Sequence, residues 1–176
     1  MTPPVLVTAP SARVVSLPDM KLHLRIDHDD EDSMIDALEA AAVAYLDGWR
    51  GVMGRAIMPQ TWSQEFDEWG THKLLLPDAS NVSAVGILDG VEAPADSITI
   101  KANLGGTFVE VKGGAVDTVR ITYECALPVE QLPAVQMAVK MLAAHWYENR
   151  EAATERALSA APMAVQSIIG SLRVWM

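Results

Sequence analysis

The chain lacks most of what would mark it as a catalyst, a nucleic-acid clamp or a membrane protein. Its 176 residues include a single cysteine, Cys125, so no internal disulfide can form. Cys125 lies in an apolar-leaning run and reads as a small buried residue, not a nucleophile. No apolar run reaches about 18 residues, which excludes a membrane-spanning helix. The N-terminus shows no charged stretch followed by an apolar one, so no secretory signal is expected. Basic residues are the scarcer sign, 13 against 23 acidic, for a net charge of −10. A surface of that balance does not grip a phosphate backbone, although an acidic wall lets one slide past.

Familiar catalytic patterns are missing too. Gly105-Gly106 and Gly113-Gly114 stand between strand-like runs in a hairpin setting, with no Gly-Lys-Ser/Thr after them, so there is no phosphate loop. No Gly-x-Ser-x-Gly elbow occurs. The acidic run Asp27-His28-Asp29-Asp30-Glu31-Asp32 has Asp32 and Leu38 where a calcium loop needs glycine and glutamate. Capping and solvation account for it better. Trp49, Trp62, Trp69 and Trp146 are too dispersed for a base-stacking platform and read as core or interface anchors. There is no internal repeat and no low-complexity segment.

What is present is an ordinary globular composition, half apolar and one fifth charged, at a length that suits one domain. The proline-bearing stretch Met1–Pro10 reads as an extended arm. Ser16-Leu17-Pro18-Asp19 is a helix start, with Ser16 as cap, and the helix is predicted to run to about Ile26 with Met20 and Leu24 inward. Carboxylates at 29 to 32 are placed to cap a second helix of about 20 residues. Its apolar positions are Met34/Ile35, Leu38, Ala41/Ala42, Tyr45 and Leu46/Trp49, and Gly51 and Gly54 end it. Thr61–Asp67 then alternates apolar and polar residues. With Leu74–Leu76, Val82–Leu88, Ile98–Lys101, Thr107–Lys112 and Val119–Tyr123 it predicts an antiparallel module of about five or six strands. Helical spacing resumes at Pro133 with two apolar rows, one of Val135, Ala138/Val139 and Leu142, the other of Met137, Met141 and Ala144. Two rows on one helix suit burial on two sides, by the chain's own core and by a neighbouring subunit. Pro162 begins a last helix, followed by apolar residues that either seek a partner or dock on the chain's own core.

The fold class is therefore α+β: a small bundle of about four helices, with an antiparallel β module inserted between the second and third long helices. The helical part covers residues 16 to 54 and 129 to 173, the β insertion 56 to 127, within a single domain, 1 to 176.

The densest chemistry is His145-Trp146-Tyr147-Glu148-Asn149-Arg150-Glu151, near the end of the two-rowed helix. His145 and Glu148 share a helix face and could serve a metal or acid/base site. Di-metal bundles use the opposite order, Glu-x-x-His, in two copies, and no other histidine shows zinc-ligand spacing. The other reading makes this the polar end of an assembly helix, with Met137, Met141, His145, Glu148 and Arg150 as a subunit interface.

In order and spacing the chain resembles the head–tail connector (adaptor) proteins of HK97-like tailed phages and of phage-derived particles such as prophages and gene transfer agents. The resemblance rests on Leu22-His23-Leu24-Arg25-Ile26-Asp27 with the acidic run and Ile35-x-x-Leu38-x-x-Ala41-Ala42. It continues through Gly54-Arg55-x-Ile57-x-x-Gln60-Thr61-Trp62, Pro133-x-x-x-x-Ala138-Val139, residues 145 to 151, and Pro162-x-x-Val165 to Arg173. It covers about half the chain, at both ends. One departure is Tyr123-Glu124-Cys125-Ala126, where such proteins often carry a glycine. The resemblance implies a structural virion protein, not an enzyme, with no cofactor, no metal and no membrane partner. It implies a homo-oligomeric ring of about twelve copies beneath the portal protein. That ring joins the portal to stopper and tail proteins, and DNA passes through it without sequence-specific binding. Its place would be the particle neck, after synthesis in the bacterial cytoplasm. Leu172, Arg173, Val174, Trp175 and Met176 are then a candidate portal-binding tail. The alternatives are a small metal-binding or enzymatic protein using His145 and Glu148, or another neck component such as a stopper or tail-completion protein.

Overall fold

A computed structural model describes residues 2–103, 106–149 and 162–173. Each of two units is assembled from separate stretches of chain: residues 2–11 with 58–127, and residues 12–57 with those from 128 onward. The first is all β. The second holds four α-helices among the described residues: α1 Leu17–Leu24, α2 Asp32–Leu46, α3 Leu132–Glu148 and α4 Met163–Leu172. The α+β class is as the residue pattern predicts, and all the described strands but the N-terminal one lie between the second and third helices.

In the helical unit, α1 begins as expected. The Asp19 N–H donates to Ser16 Oγ at 3.3 Å, and Pro18 occupies the first turn. It stops short of Ile26 because Arg25 adopts a left-handed conformation, φ 59°, and its N–H closes on the Leu22 carbonyl at 3.3 Å. α2 is shorter than predicted, 15 residues. The following loop caps it early: the N–H groups of Val52 and Met53 donate to the Tyr45 and Leu46 carbonyls at 3.0 and 3.3 Å. Gly51 makes this possible, since a Cβ there would lie 2.2 Å from the Asp47 carbonyl oxygen. The buried seam of α2 also differs from the predicted one: it is Ile35, Glu39, Ala42 and Leu46, while Ala41 and Tyr45 face outward. The unit's core joins these to Met20, Met53, Ile57, Val135, Val139, Leu142, Val165 and Ile169.

The β unit has eight strands among the described residues, more than predicted. They are β1 Val5–Thr8, β2 Gln60–Phe66, β3 Gly70–Lys73, β4 Ala79–Leu88, β5 Val91–Pro94, β6 Ser97–Asn103, β7 Gly106–Lys112 and β8 Thr118–Cys125. One sheet has the order β1-β2-β8-β4-β5, the other β3-β7-β6, and every pairing is antiparallel. The N-terminal arm is thus a strand on the edge of the larger sheet. Strict alternation in β2 buries Gln60, Trp62, Gln64 and Phe66, and sets Trp62 opposite Tyr123 on β8. Tyr123 donates its hydroxyl to Gln64 Oε1 at 3.1 Å, and burial raises its pKa. Leu74–Leu76 is not a strand. Leu74 and Leu76 are buried, but Pro77 and left-handed Asp78, φ 57°, end any ladder there. Asp89 and Gly90 make the expected turn, both with positive φ, 51° and 79°. Gly113 and Gly114 do not form a hairpin: they lie on the link that carries the chain from β7 in one sheet to β8 in the other. There they admit Trp69, whose indole N–H donates to the Gly114 carbonyl at 2.7 Å. Its Cζ2 would meet a Cβ on Gly86 or on Gly113 at 2.4 Å.

Candidate functional site

α3 carries the residues singled out from the sequence. Val135, Ala138, Val139, Leu142 and Ala143 form its buried face. Among the described residues the second apolar row is only partly covered: Met137 is 46% exposed, and Met141 and Ala144 are half-buried. His145, half-buried, and Glu148, exposed, continue the stripe of Met137 and Met141 at steps of three or four residues, so all four share one helix side. Arg150 and Glu151 lie outside the described residues.

The polar end of α3 spends its side chains on the helical unit itself. Trp146 meets Tyr45 of α2 edge-on, ring centroids 6.4 Å apart. The Tyr147 hydroxyl donates to the Glu31 carboxylate just before α2. Asn149 Nδ2 donates to the His145 carbonyl at 2.7 Å and lies 3.4 Å from the ring Nδ1. Among the described residues no three His, Cys, Asp or Glu side chains gather as metal ligands.

The acidic run, expected to cap α2, makes no side-chain cap bond to it; the carboxylates of Asp29, Glu31 and Asp32 go to other partners. Glu31 stands at the N-cap of α2 but makes no side-chain cap bond, because its carboxylate is turned to Tyr147. Lys21 on α1 reaches Asp29 at 2.5 Å and Asp32 at 2.8 Å. The hydrogen bond to Asp29 leads in raising the Lys21 pKa, and the bond from Lys21 lowers that of Asp29. Farther along α2, Arg13 pairs with Asp36 at 2.8 Å and approaches the buried Glu39 at 3.6 Å. Glu39 Oε1 accepts the Val15 N–H at 3.3 Å, and Gln136 of α3 donates to the Val14 carbonyl at 3.0 Å. The segment ahead of α1 is therefore stitched to both long helices.

Arg55 is the residue that sequence reasoning placed in a motif without giving it work. It is buried, 8% exposed, and its Nη1 donates to Gln131 Oε1 at 3.2 Å and to the Leu172 carbonyl at 3.1 Å. The turn before α3 and the last residue of α4 thus meet at one nitrogen. Gly54, with φ 64°, sits just before it, and Gly48, with φ 78°, lies nearby; these glycines are the local signal of a special backbone. Of the predicted tail, Leu172 ends α4 and Arg173 caps it, its N–H on the Ile169 carbonyl at 2.8 Å. Val174, Trp175 and Met176 lie outside the described residues.

In the β unit the outermost strand β1 leaves Val5, Leu6 and Val7 exposed, and β6 leaves Ile98 and Ile100 exposed. No described helix is long and apolar enough to cross a membrane.

The family model described as Phage gp6-like head-tail connector protein matches residues 14–173. No curated protein matches the chain. A solved structure described as "Neck of empty GTA particle computed with C6 symmetry" contains a chain similar to this one. Its TM-score is 0.76 at 21% identity, over 99% of this chain and 97% of that one. At that identity the likeness speaks for the fold.

Proposed function

We propose a mechanical role from the premise that this chain belongs to the phage gp6-like head–tail connector family, whose model spans residues 14–173. Copies of the chain close into a ring at the neck of a phage or phage-like particle, after synthesis in the host cytoplasm. The ring joins the portal protein to the stopper and tail proteins, and holds about twelve copies by a head-to-tail contact that closes on itself. DNA passes through its centre. The chain catalyses nothing, needs no cofactor, and its two units serve as one connector domain.

The family match across both units is the observation that carries this reading, and three features support it. The stripe of Met137, Met141, His145 and Glu148, with Arg150 beyond it, offers a neighbour a face that the chain's own core does not use. The net charge of −10 suits a wall past which phosphates must slide. The apolar residues after α4, Val174 to Met176, are the hook for the portal.

Light scattering of the full chain, alone and mixed with the portal protein of the same particle, tests the proposal. The expected result is a complex whose added mass is that of about twelve chains. Removal of residues 174–176 abolishes the complex while the circular dichroism of the chain is unchanged. No association of the intact chain with its portal refutes the reading.

A further inference from the structure

We infer that Arg55 is a positioning residue, which fixes where the segment after α4 leaves the helical unit. The inference rests on the reading of that segment as the hook, and it concerns how the hook is aimed.

α4 has ten residues, too few to hold a helix by themselves in water. No side chain caps its start at Pro162, and no basic residue lies in its last turn. Val165 and Ile169 bury its inner face, with Ile168 and Leu172 half-buried beside them, but so small a face leaves a short helix prone to fray at its end. The last carbonyls of a helix have no partner within it and carry the negative end of its dipole. Arg55 brings a permanent positive charge to that end, at 3.1 Å from the Leu172 carbonyl, away from water where such a bond is strongest.

The carrier of the guanidinium is itself fixed. The Arg55 carbonyl accepts the Gly48 N–H at 3.0 Å, and Asp47 Oδ1 accepts the Ile57 N–H at 2.7 Å. Gly51 is pressed on the end of α2 with no room for a Cβ. Nη1 also holds Gln131 at the entry to α3. The exit point at Arg173 is therefore referenced to the end of α2 and the start of α3, not to α4 alone. Around a ring, this sets Arg173, from which the hook starts, at the same place in every copy.

Hydrogen exchange of the full-length chain tests this, with portal binding as a second readout, on Arg55→Met, Arg55→Lys and the deletion of 174–176. In Arg55→Met the amides of residues 168–173 exchange about tenfold faster or more, while those of residues 135–143 keep their wild-type rates. Portal affinity of the same variant falls about tenfold although residues 174–176 are intact. Arg55→Lys, a point charge without the planar fork, shows a smaller change of the same kind, and it remains readable if the methionine variant does not fold. Wild-type exchange at 168–173 in the variants overturns the inference, as does acceleration spread evenly over α2, α3 and α4. If the deletion leaves portal binding intact, the hook reading is what fails, and the exchange at 168–173 alone decides the role of Arg55.

Discussion

Replacement of Gly86 by alanine is predicted to drive Trp69 out of its slot. The added Cβ would stand 2.4 Å from Cζ2 of the indole and 3.0 Å from Cγ2 of Val116, closer than atoms can approach. Gly86 lies inside β4, paired to both neighbours, opposite Val119 and Ala93, so the backbone has little freedom to retreat. The ring must leave instead. Its hydrogen bond to the Gly114 carbonyl goes with it, a loss of about 1 kcal/mol. Exposing roughly 100 Å² more of the indole costs about 2.5 kcal/mol at about 25 cal/mol per Å². Alanine recovers about 0.5–1 kcal/mol over glycine in a strand, so the net loss is about 3 kcal/mol. The decisive measurement is a double-mutant cycle by urea unfolding, followed by circular dichroism. With Trp69→Ala already in place the alanine at 86 meets no ring, and adding it is predicted to be neutral or slightly stabilising, a coupling of about 3 kcal/mol. If Gly86→Ala costs as much without the indole as with it, the slot does not explain the glycine. Gly113→Ala, with the same 2.4 Å clash, is expected to behave alike.

Three further outcomes are expected. Met137→Glu with Met141→Glu changes unfolding stability by no more than about 0.5 kcal/mol per site but prevents ring formation, as light scattering with the portal would report. Tyr147→Phe removes the hydroxyl held by Glu31 and costs about 1–2 kcal/mol in urea unfolding, an effect that vanishes when Glu31 is already alanine. The pairing of Lys21 with Asp29 gives a pH dependence of known sign. Asp29 has a lowered pKa, so its contribution is present above about pH 4 and is lost as pH falls through the folded value. Lys21 has a raised pKa, so its contribution is present below about pH 10 and is lost as pH rises through the folded value. In Lys21→Met the Asp29 titration, followed by carbon NMR, moves up toward the ordinary carboxylate range.

The legible parts of the fold are those governed by local rules. Ser16 and Pro18 announce α1, alternation along Gln60–Phe66 announces β2, and Asp89-Gly90 announces its turn, because each depends on neighbours in sequence. The seam of α2 was legible at Ile35, Ala42 and Leu46 but not at Glu39, which is buried only where Arg13 and the Val15 N–H come to meet it, and Ala40-Ala41-Ala42 points to no side. β3 and β5 escaped notice because four-residue edge strands draw their order from partners in other strands. In the candidate site, the spacing of Met137 and Met141 already put the two on one helix side, where Met137 is exposed and Met141 half-buried. The partner of Tyr147, 116 residues away, and that of Arg55, 117 residues away, could not be read from any window.

The division of the helical unit into two stretches on either side of strands β2 to β8 has a consequence for synthesis. β2 to β8 can close on one another as soon as residue 125 has emerged, but α2 must wait for α3, about 90 residues later. At about 5–20 residues per second, this leaves the α2 seam of Ile35, Ala42 and Leu46 bare for roughly 5–20 s. The face proposed to meet a neighbour is on α3 as well, so it is made only after that wait. Nascent chains growing side by side on one message therefore lack the proposed ring face until the strands between are finished.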